Sequence, residues 1–290
     1  MKTLPTLQSP VRPALRRGTL LAAAAAILYS GAASAQIALD VIGPHEYDLP
    51  VDFKPFNAFV QYTELNDSGH VWNADGHRVA ADTGQVIVGL SKYVRFWTPE
   101  WDHRIGLAYE VLLPEIGIRN AGGTGGFNGG IGDPITGAAI WFKPSADATL
   151  GLQSFAQIPV GANSVSDTNW KNLTSLFWDW RITKQLGLTG NGGFVWQSAR
   201  SNGFTPGLTY HINQRLGLRV HKHFEPFIGV DSEYTRASDG APRAWAVDGS
   251  IGMVFHTFAN QSITLRYSAT LDAESHSDNR SFNLKYAYVW

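Results

Sequence analysis

From Phe282 to Trp290 the chain alternates, with Phe282, Leu284, Tyr286, Tyr288 and Trp290 on one face and Asn283, Lys285, Ala287 and Val289 on the other. A period of two is the signature of extended chain, because successive Cβ atoms of a strand point to opposite faces. The preceding segment repeats it, with Ile263, Leu265, Tyr267, Ala269 and Leu271 against Thr264, Arg266, Ser268 and Thr270. Ile105, Leu107, Tyr109, Val111 and Leu113 oppose Arg104, Gly106, Ala108 and Glu110, while Leu186, Leu188, Phe194 and Trp196 oppose Thr189, Asn191 and Gln197. About twelve such segments are predicted, each close to the 9 to 11 residues that a tilted strand needs to cross a bilayer. They run near 57–64, 85–96, 104–114, 131–143, 149–159, 173–182, 186–197, 206–214, 225–234, 245–255, 263–271 and 282–290. Gly, Ser, Thr and aromatic residues interrupt every run with helical period. Gln85 to Phe96 changes phase near Ser91, which predicts a bulge. Residues 36–54 carry no strand pattern.

The connections alternate between long polar stretches, around Asn66–Asp82, Glu115–Asn128 and Gly161–Lys171, and short ones, around Pro144–Ala146, Thr183–Gln185 and Ala259–Ser262. Outer-membrane barrels alternate long external loops with short periplasmic turns in this way. A sheet in lipid cannot leave edge amides and carbonyls unpaired, so its first and last strands must meet. The expected fold is therefore all-β, a transmembrane antiparallel up-and-down β-barrel spanning 55–290. A soluble sandwich is the competing reading, but its solvent face should be richly charged, whereas the second face here is mainly Gly, Ser, Thr and Asn. At the start of the chain, Lys2, Arg12, Arg16 and Arg17 precede an apolar run from Leu20 to Tyr29 and then Ala33-Ser34-Ala35. That predicts a secretory signal peptide over 1–35, cleaved after Ala35, on the general secretory route rather than the twin-arginine one. Residues 36–54 then form either a periplasmic extension or a plug folded into the lumen.

Composition narrows the chemistry. Charged residues make up only 16% of the 290, and Lys plus Arg at 23 against Asp plus Glu at 24 gives a net charge of −1. No positive field exists to draw nucleic acid. With 0 Cys the chain has no disulfides, thiolate metal sites or cysteine nucleophile. His221 and His223 would share a face if extended, a spacing suited to two metal ligands, but a third is not evident and a polar turn is the simpler reading. No metal or cofactor is expected.

Gly129-Gly130-Ile131-Gly132-Asp133-Pro134 followed by Gly137 resembles the Gly-x-Gly-Asp signature of an outer-membrane family named for the MetA pathway of phenol degradation. Leu112-Leu113-Pro114, Gln157-Ile158-Pro159-Val160-Gly161 and the aromatic end at Trp290 look like landmarks of the same family, over roughly Phe56 to Trp290. The resemblance implies a channel-like transporter whose members are associated with uptake of aromatic or other hydrophobic compounds.

If the apolar register faces lipid, the lumen receives Arg104, Glu110, Asp133, Asp179, Arg181, Asp231, Glu233, Asp248, Arg266 and Lys285. These charges either pair as structural filling or set a field along a solute path. Asp133 is the preferred constriction residue, against the reading of a turn residue whose carboxylate accepts backbone hydrogen bonds. Trp141 and Phe177 are predicted to point inward and to contact a hydrophobic solute. Trp178, Trp180, Trp196, Trp245, Tyr286, Tyr288 and Trp290 fit an interface belt. Phe282, Leu284, Tyr286, Tyr288 and Trp290 also resemble a carboxyl-terminal signal read by the barrel-assembly machinery. The expected function is passive uptake of small solutes, aromatic or hydrophobic ones among them, with outer-membrane lipid and lipopolysaccharide as surroundings. A structural or adhesion barrel, and a lipid hydrolase built on His276-Ser277, are the alternatives.

Overall fold

The computed structural model describes residues 43–66, 69–81, 84–119, 128–238 and 240–290; the predicted signal peptide lies outside them. Twelve long strands form one antiparallel sheet: β1 Phe56–Asn66, β2 Gln85–Trp97, β3 Ile105–Arg119, β4 Ile135–Ser145, β5 Ala148–Gln157 and β6 Lys171–Arg181 in the first half. The second half comprises β7 Leu186–Gln197, β8 Thr209–Leu218, β9 Phe224–Thr235, β10 Ala244–Phe258, β11 Gln261–Glu274 and β12 Arg280–Val289. Each pairs with its sequence neighbours, and β1 pairs with β12 from Ala58↔Val289 to Asn66↔Ser281. The barrel is thereby closed and leaves no edge for lipid to desolvate.

Burial is inverted relative to a water-soluble protein. Asn191, Asn213, Ser268 and Asn283 are buried, whereas Leu176, Ile228, Ile251 and Leu284 on the opposite register are exposed. An apolar outer face with a polar filled interior is what a bilayer selects, and it removes the sandwich reading. Phe282, Leu284, Tyr286 and Tyr288 lie on the outer register of β12, and exposed Trp290 follows its end.

Three departures from the sequence expectation have physical causes. The strand expected over 131–143 is interrupted at Gly132-Asp133-Pro134, because proline supplies no N–H for a ladder; a short strand, Asn128–Ile131, continues along β3 beyond the break. The predicted bulge near Ser91 is absent, since β2 keeps one register with both neighbours from Val86 to Phe96. Its phase looked broken because polarity inverts there. Val88, Leu90 and Val94 are buried inside, while Ser91 faces out with Gln61 and Glu115, its hydroxyl 2.7 Å from Gln61 Oε1 and 2.6 Å from Glu115 Oε1. Finally, the long-loop end carries a three-stranded sheet of His70–Trp72, Arg78–Ala80 and His276–Ser277.

Candidate solute path through the barrel

The inner wall is organised by one cross-strand row. Gly106 of β3 opposes Trp141 of β4, which opposes Gly151 of β5, which opposes Phe177 of β6. The row continues through Asn191, Asn213, Asp231 and Asp248 on β7 to β10. The glycines are required by space: a Cβ at Gly106 would stand 2.1 Å from Trp141 Cε2, and one at Gly151 2.1 Å from Phe177 Cζ. Glycine thus lets each ring lie flat across the neighbouring strand. Ala58, Val94, Ala108, Ala139, Trp141 and Phe177 join in a buried apolar cluster, and Tyr62 and Leu90 form a second one with Val60 and Leu112.

From β7 onward the wall is mainly polar, with Phe227 lying over Gly252 as an apolar exception. Arg215, whose side chain is fully buried, donates from Nη1 and Nη2 to the two oxygens of Asp231 at 2.7 and 2.9 Å. Arg266 approaches the same carboxylate at 3.3 Å. Asn213 donates to Asn191 Oδ1 at 2.8 Å. Glu110 on the apolar side is matched by Lys92 at 2.5 Å. Bidentate guanidinium pairing offsets much of the desolvation cost of a buried carboxylate.

Residues 43–55 rest against this wall near the short turns. Tyr47 stacks on Phe177 with centroids 4.4 Å apart, Phe53 stacks on Trp141 at 6.2 Å, and Trp141 Nε1 donates to the Pro50 carbonyl at 2.8 Å. Asp48 pairs with Lys143 at 2.8 Å and with Arg181, while Glu46 pairs with Lys285. His45 Nδ1 lies 3.4 Å from Asp179 Oδ1 and its Nε2 3.0 Å from Glu225 Oε1; its backbone N–H donates to Thr189 Oγ1 at 2.8 Å. Small wall residues again make the room. A Cβ at Gly187 would meet the His45 ring at 2.0 Å, and one at Gly217 would meet Pro44 at 2.4 Å. The hydrogen bond to Asp179, reinforced by Glu225, pushes the His45 pKa up to about 9 against the opposing effect of burial. Burial raises the Asp48 carboxyl, but the Lys143 hydrogen bond and its charge prevail and hold it below the ordinary range.

Most of the residues expected in the lumen are brought to it: Glu110, Trp141, Phe177, Asp179, Asp231, Glu233, Asp248, Arg266 and Lys285 sit on inward registers, and Arg181 reaches Asp48 at the end of β6. Two are not. Arg104 precedes β3 in a turn, its side chain 89% exposed, and pairs with Asp102 at 2.8 Å; parity with Glu110 extended the strand one residue too far. Asp133 has the geometry of the alternative reading, a carboxylate outside the long strands that accepts backbone hydrogen bonds. It accepts hydrogen bonds from the Gly161 and Asp167 backbone at 2.8 and 2.9 Å and from the Ser166 hydroxyl at 2.8 Å, so it binds one long loop to another. Lys92, Lys171, Arg215 and Glu225 escaped the sequence reading although each is paired in the interior or at its rim. Arg215 had a signal: it continues the parity of Asn213 one step beyond the expected strand end.

The hydrolase pairing gains no support from geometry. His276 is engaged at both ring nitrogens, Nε2 by Glu233 and Nδ1 by the Ser277 backbone carbonyl at 2.7 Å, leaving neither for a serine hydroxyl. His221 and His223 lie tilted against each other beside a turn, ring centroids 5.4 Å apart, and no group of three metal-binding side chains occurs among the described residues.

These features define a class, a closed twelve-stranded outer-membrane barrel with a half-apolar lumen and an N-terminal segment lying in it. The chain belongs to the family described as "Putative MetA-pathway of phenol degradation", whose model matches residues 68–288. Among solved structures it is similar to the COG4313 outer membrane channel from Pseudomonas putida F1, with TM-score 0.73 and 17% identity over 86% of this chain and 100% of that one. It is also similar to the β domain of the Bordetella autotransporter BrkA, with TM-score 0.52 and 11% identity over 82% of this chain and 100% of that one. At such identities the likeness is one of fold, and function has to be argued from the site. No curated protein matches the sequence significantly.

Proposed function

We propose that this protein is a non-enzymatic outer-membrane channel for passive movement of small solutes that combine an apolar body with a polar group. The observation that supports this reading is the cross-strand row itself. A general aqueous pore lines its wall with polar residues throughout, whereas here Trp141 and Phe177 share one ladder with Asn191, Asn213 and Asp231. An amphiphilic solute can keep its ring against one side and its polar atoms against the other. Residues 43–55 act as a plug latched by His45, Glu46 and Asp48, and their displacement sets how far the path is open. Export through a cleaved signal and delivery by the barrel-assembly machinery through the β12 aromatic register complete the reading.

The test is permeation of the refolded mature chain in liposomes and planar bilayers. Discrete conductance, with faster entry of a phenol than of a sugar of similar size, is the expected result. A demonstrably folded barrel that passes neither ions nor solutes, with His45 intact or replaced, would overturn it.

A further inference from the structure

The N-terminal segment meets the wall of β4 and β6 with one ring and one carboxylate from consecutive residues. Tyr47 stacks on the fully buried Phe177 with ring planes 24° apart, and its hydroxyl accepts from Gln153 Nε2 at 3.4 Å and from Asn191 Nδ2 at 3.3 Å. Asp48 gives one oxygen to Lys143 at 2.8 Å and the other to Arg181. Neither cation pairs with a second carboxylate among the described residues. Asp179, two residues before Arg181, is held instead by His45 and the Thr189 hydroxyl. The barrel wall by itself therefore sets two positive charges beside an aromatic face, and the anion that answers them belongs to the tethered segment.

That segment is held by its contacts rather than by its own backbone preference. His45 and Asp52, on either side of residues 46–51, have φ of 60° and 55°, a left-handed region unfavourable for residues with a Cβ. When the segment leaves, Phe177 loses its ring partner and Lys143 and Arg181 lose their counter-ion in the same step.

We propose that Tyr47 and Asp48 are a built-in stand-in for a solute, and that Phe177, Lys143 and Arg181 form a binding site for aromatic carboxylates, whose ring takes the place of Tyr47 and whose carboxylate takes the place of Asp48. Tyr47 and Asp48 are consecutive, so seven covalent bonds join the ring to the carboxylate carbon and a ring on a flexible alkyl chain of that reach spans the site. A neutral aromatic covers Phe177 and leaves the two cations unmatched, and an aliphatic carboxylate does the reverse. Only a molecule with both groups replaces both contacts. The tethered pair competes at an effective concentration in roughly the millimolar range, so the solute enters by displacing the segment and thereby opens its own path. The inference rests on the channel reading in that displacement of residues 43–55 opens the lumen.

Binding to the refolded mature protein in detergent, followed by 19F NMR, tests it with 6-(4-fluorophenyl)hexanoate against the matching primary amide, which has the same ring and chain without the charge. The acid should bind more tightly to the wild type and speed cleavage of residues 43–55 by proteinase K, and the amide should do neither. Tyr47→Ala with Asp48→Asn vacates the site and should tighten binding of the acid about tenfold, while the barrel keeps its heat-modifiable migration. Adding Lys143→Gln and Arg181→Gln should then erase the preference for acid over amide. Equal binding of acid and amide to the vacated protein, or binding of neither, overturns the inference, as does binding of the acid to the wild type with cleavage unchanged. If the vacated protein does not fold, the acid and amide comparison on the wild type decides alone. Liposome flux is read separately. Acid-selective displacement without flux would refute the channel reading and leave the site standing, whereas flux without acid-selective binding would refute the site alone.

Discussion

The two sides of the lumen wall solve the same packing problem with different physics. On β3 to β6 the interior is filled by rings over glycines, Trp141 on Gly106 and Phe177 on Gly151, so its cohesion comes from contact area and close fit. On β7 to β11 it is filled mainly by a charge network, Arg215 and Arg266 on Asp231, with Asn213 on Asn191 and one ring over a glycine, Phe227 on Gly252. The apolar side tolerates an apolar visitor and has no directional demands. The polar side is directional and fails sharply when one partner is lost. The N-terminal segment spans the division, presenting Tyr47 and Phe53 to the first side and His45 and Glu46 to Glu225 and Lys285 beyond it.

The sharpest way to break this contrast is Arg215→Met. It leaves Asp231 with only Arg266, and should lower unfolding stability by about 4 kcal/mol, read from urea titration in detergent. Trp141→Ala on the opposite side should cost about 3 kcal/mol through lost area and cavity, and, unlike the first change, should raise conductance by releasing Phe53 and Pro50. A charge-network loss that proved cheaper than the ring loss would reverse the ranking of the two sides.

His45→Ala should weaken docking of residues 43–55 by about 2 kcal/mol, seen as more frequent channel openings and faster proteolysis of the segment. The same latch is pH-dependent. The docked pKa of about 9 lies above the free value of 6.5, so the His45 contribution is fully present below about pH 6.5 and is lost as pH rises through about 9. Asp179, Glu225, Arg181, Asp48, Arg219 and His256 surround it, and openings should therefore increase between pH 7 and 10 in the wild type and change much less in the alanine variant. The smallest effect concerns the outer surface. Glu115→Gln removes a carboxylate from the lipid-facing wall while keeping an acceptor for Ser91, and should stabilise the barrel by about 1 kcal/mol.

How much of this the sequence disclosed follows from which physics was local. Alternation identified all twelve strands because lipid on one side and a filled lumen on the other impose period two on every crossing. It placed Trp141, Phe177, Asp179 and Asp231 inward by parity alone. Parity misled at Arg104, where the strand had not begun, and at Ser91, where the inner wall is itself apolar. The glycine- and proline-flanked Asp133 could be read as a carboxylate taking backbone hydrogen bonds, but its partners lie 24 to 34 positions away and those of His45, Asp179 and Glu225, further still, so no local pattern names them. His70–Trp72 and Arg78–Ala80 are three residues each, too short for periodicity to register.

The seam between β1 and β12 has a kinetic consequence. Ala58 cannot find Val289 until nearly the whole chain is available, so the strand pairing that closes the barrel is also the strand pairing with the greatest separation in sequence. Loop-closure entropy makes such pairing late and slow. Throughout that interval both outer strands expose unsatisfied edges to any neighbouring chain, which makes protection from misassociation before closure, rather than the stability of the finished barrel, the limiting demand on its biogenesis.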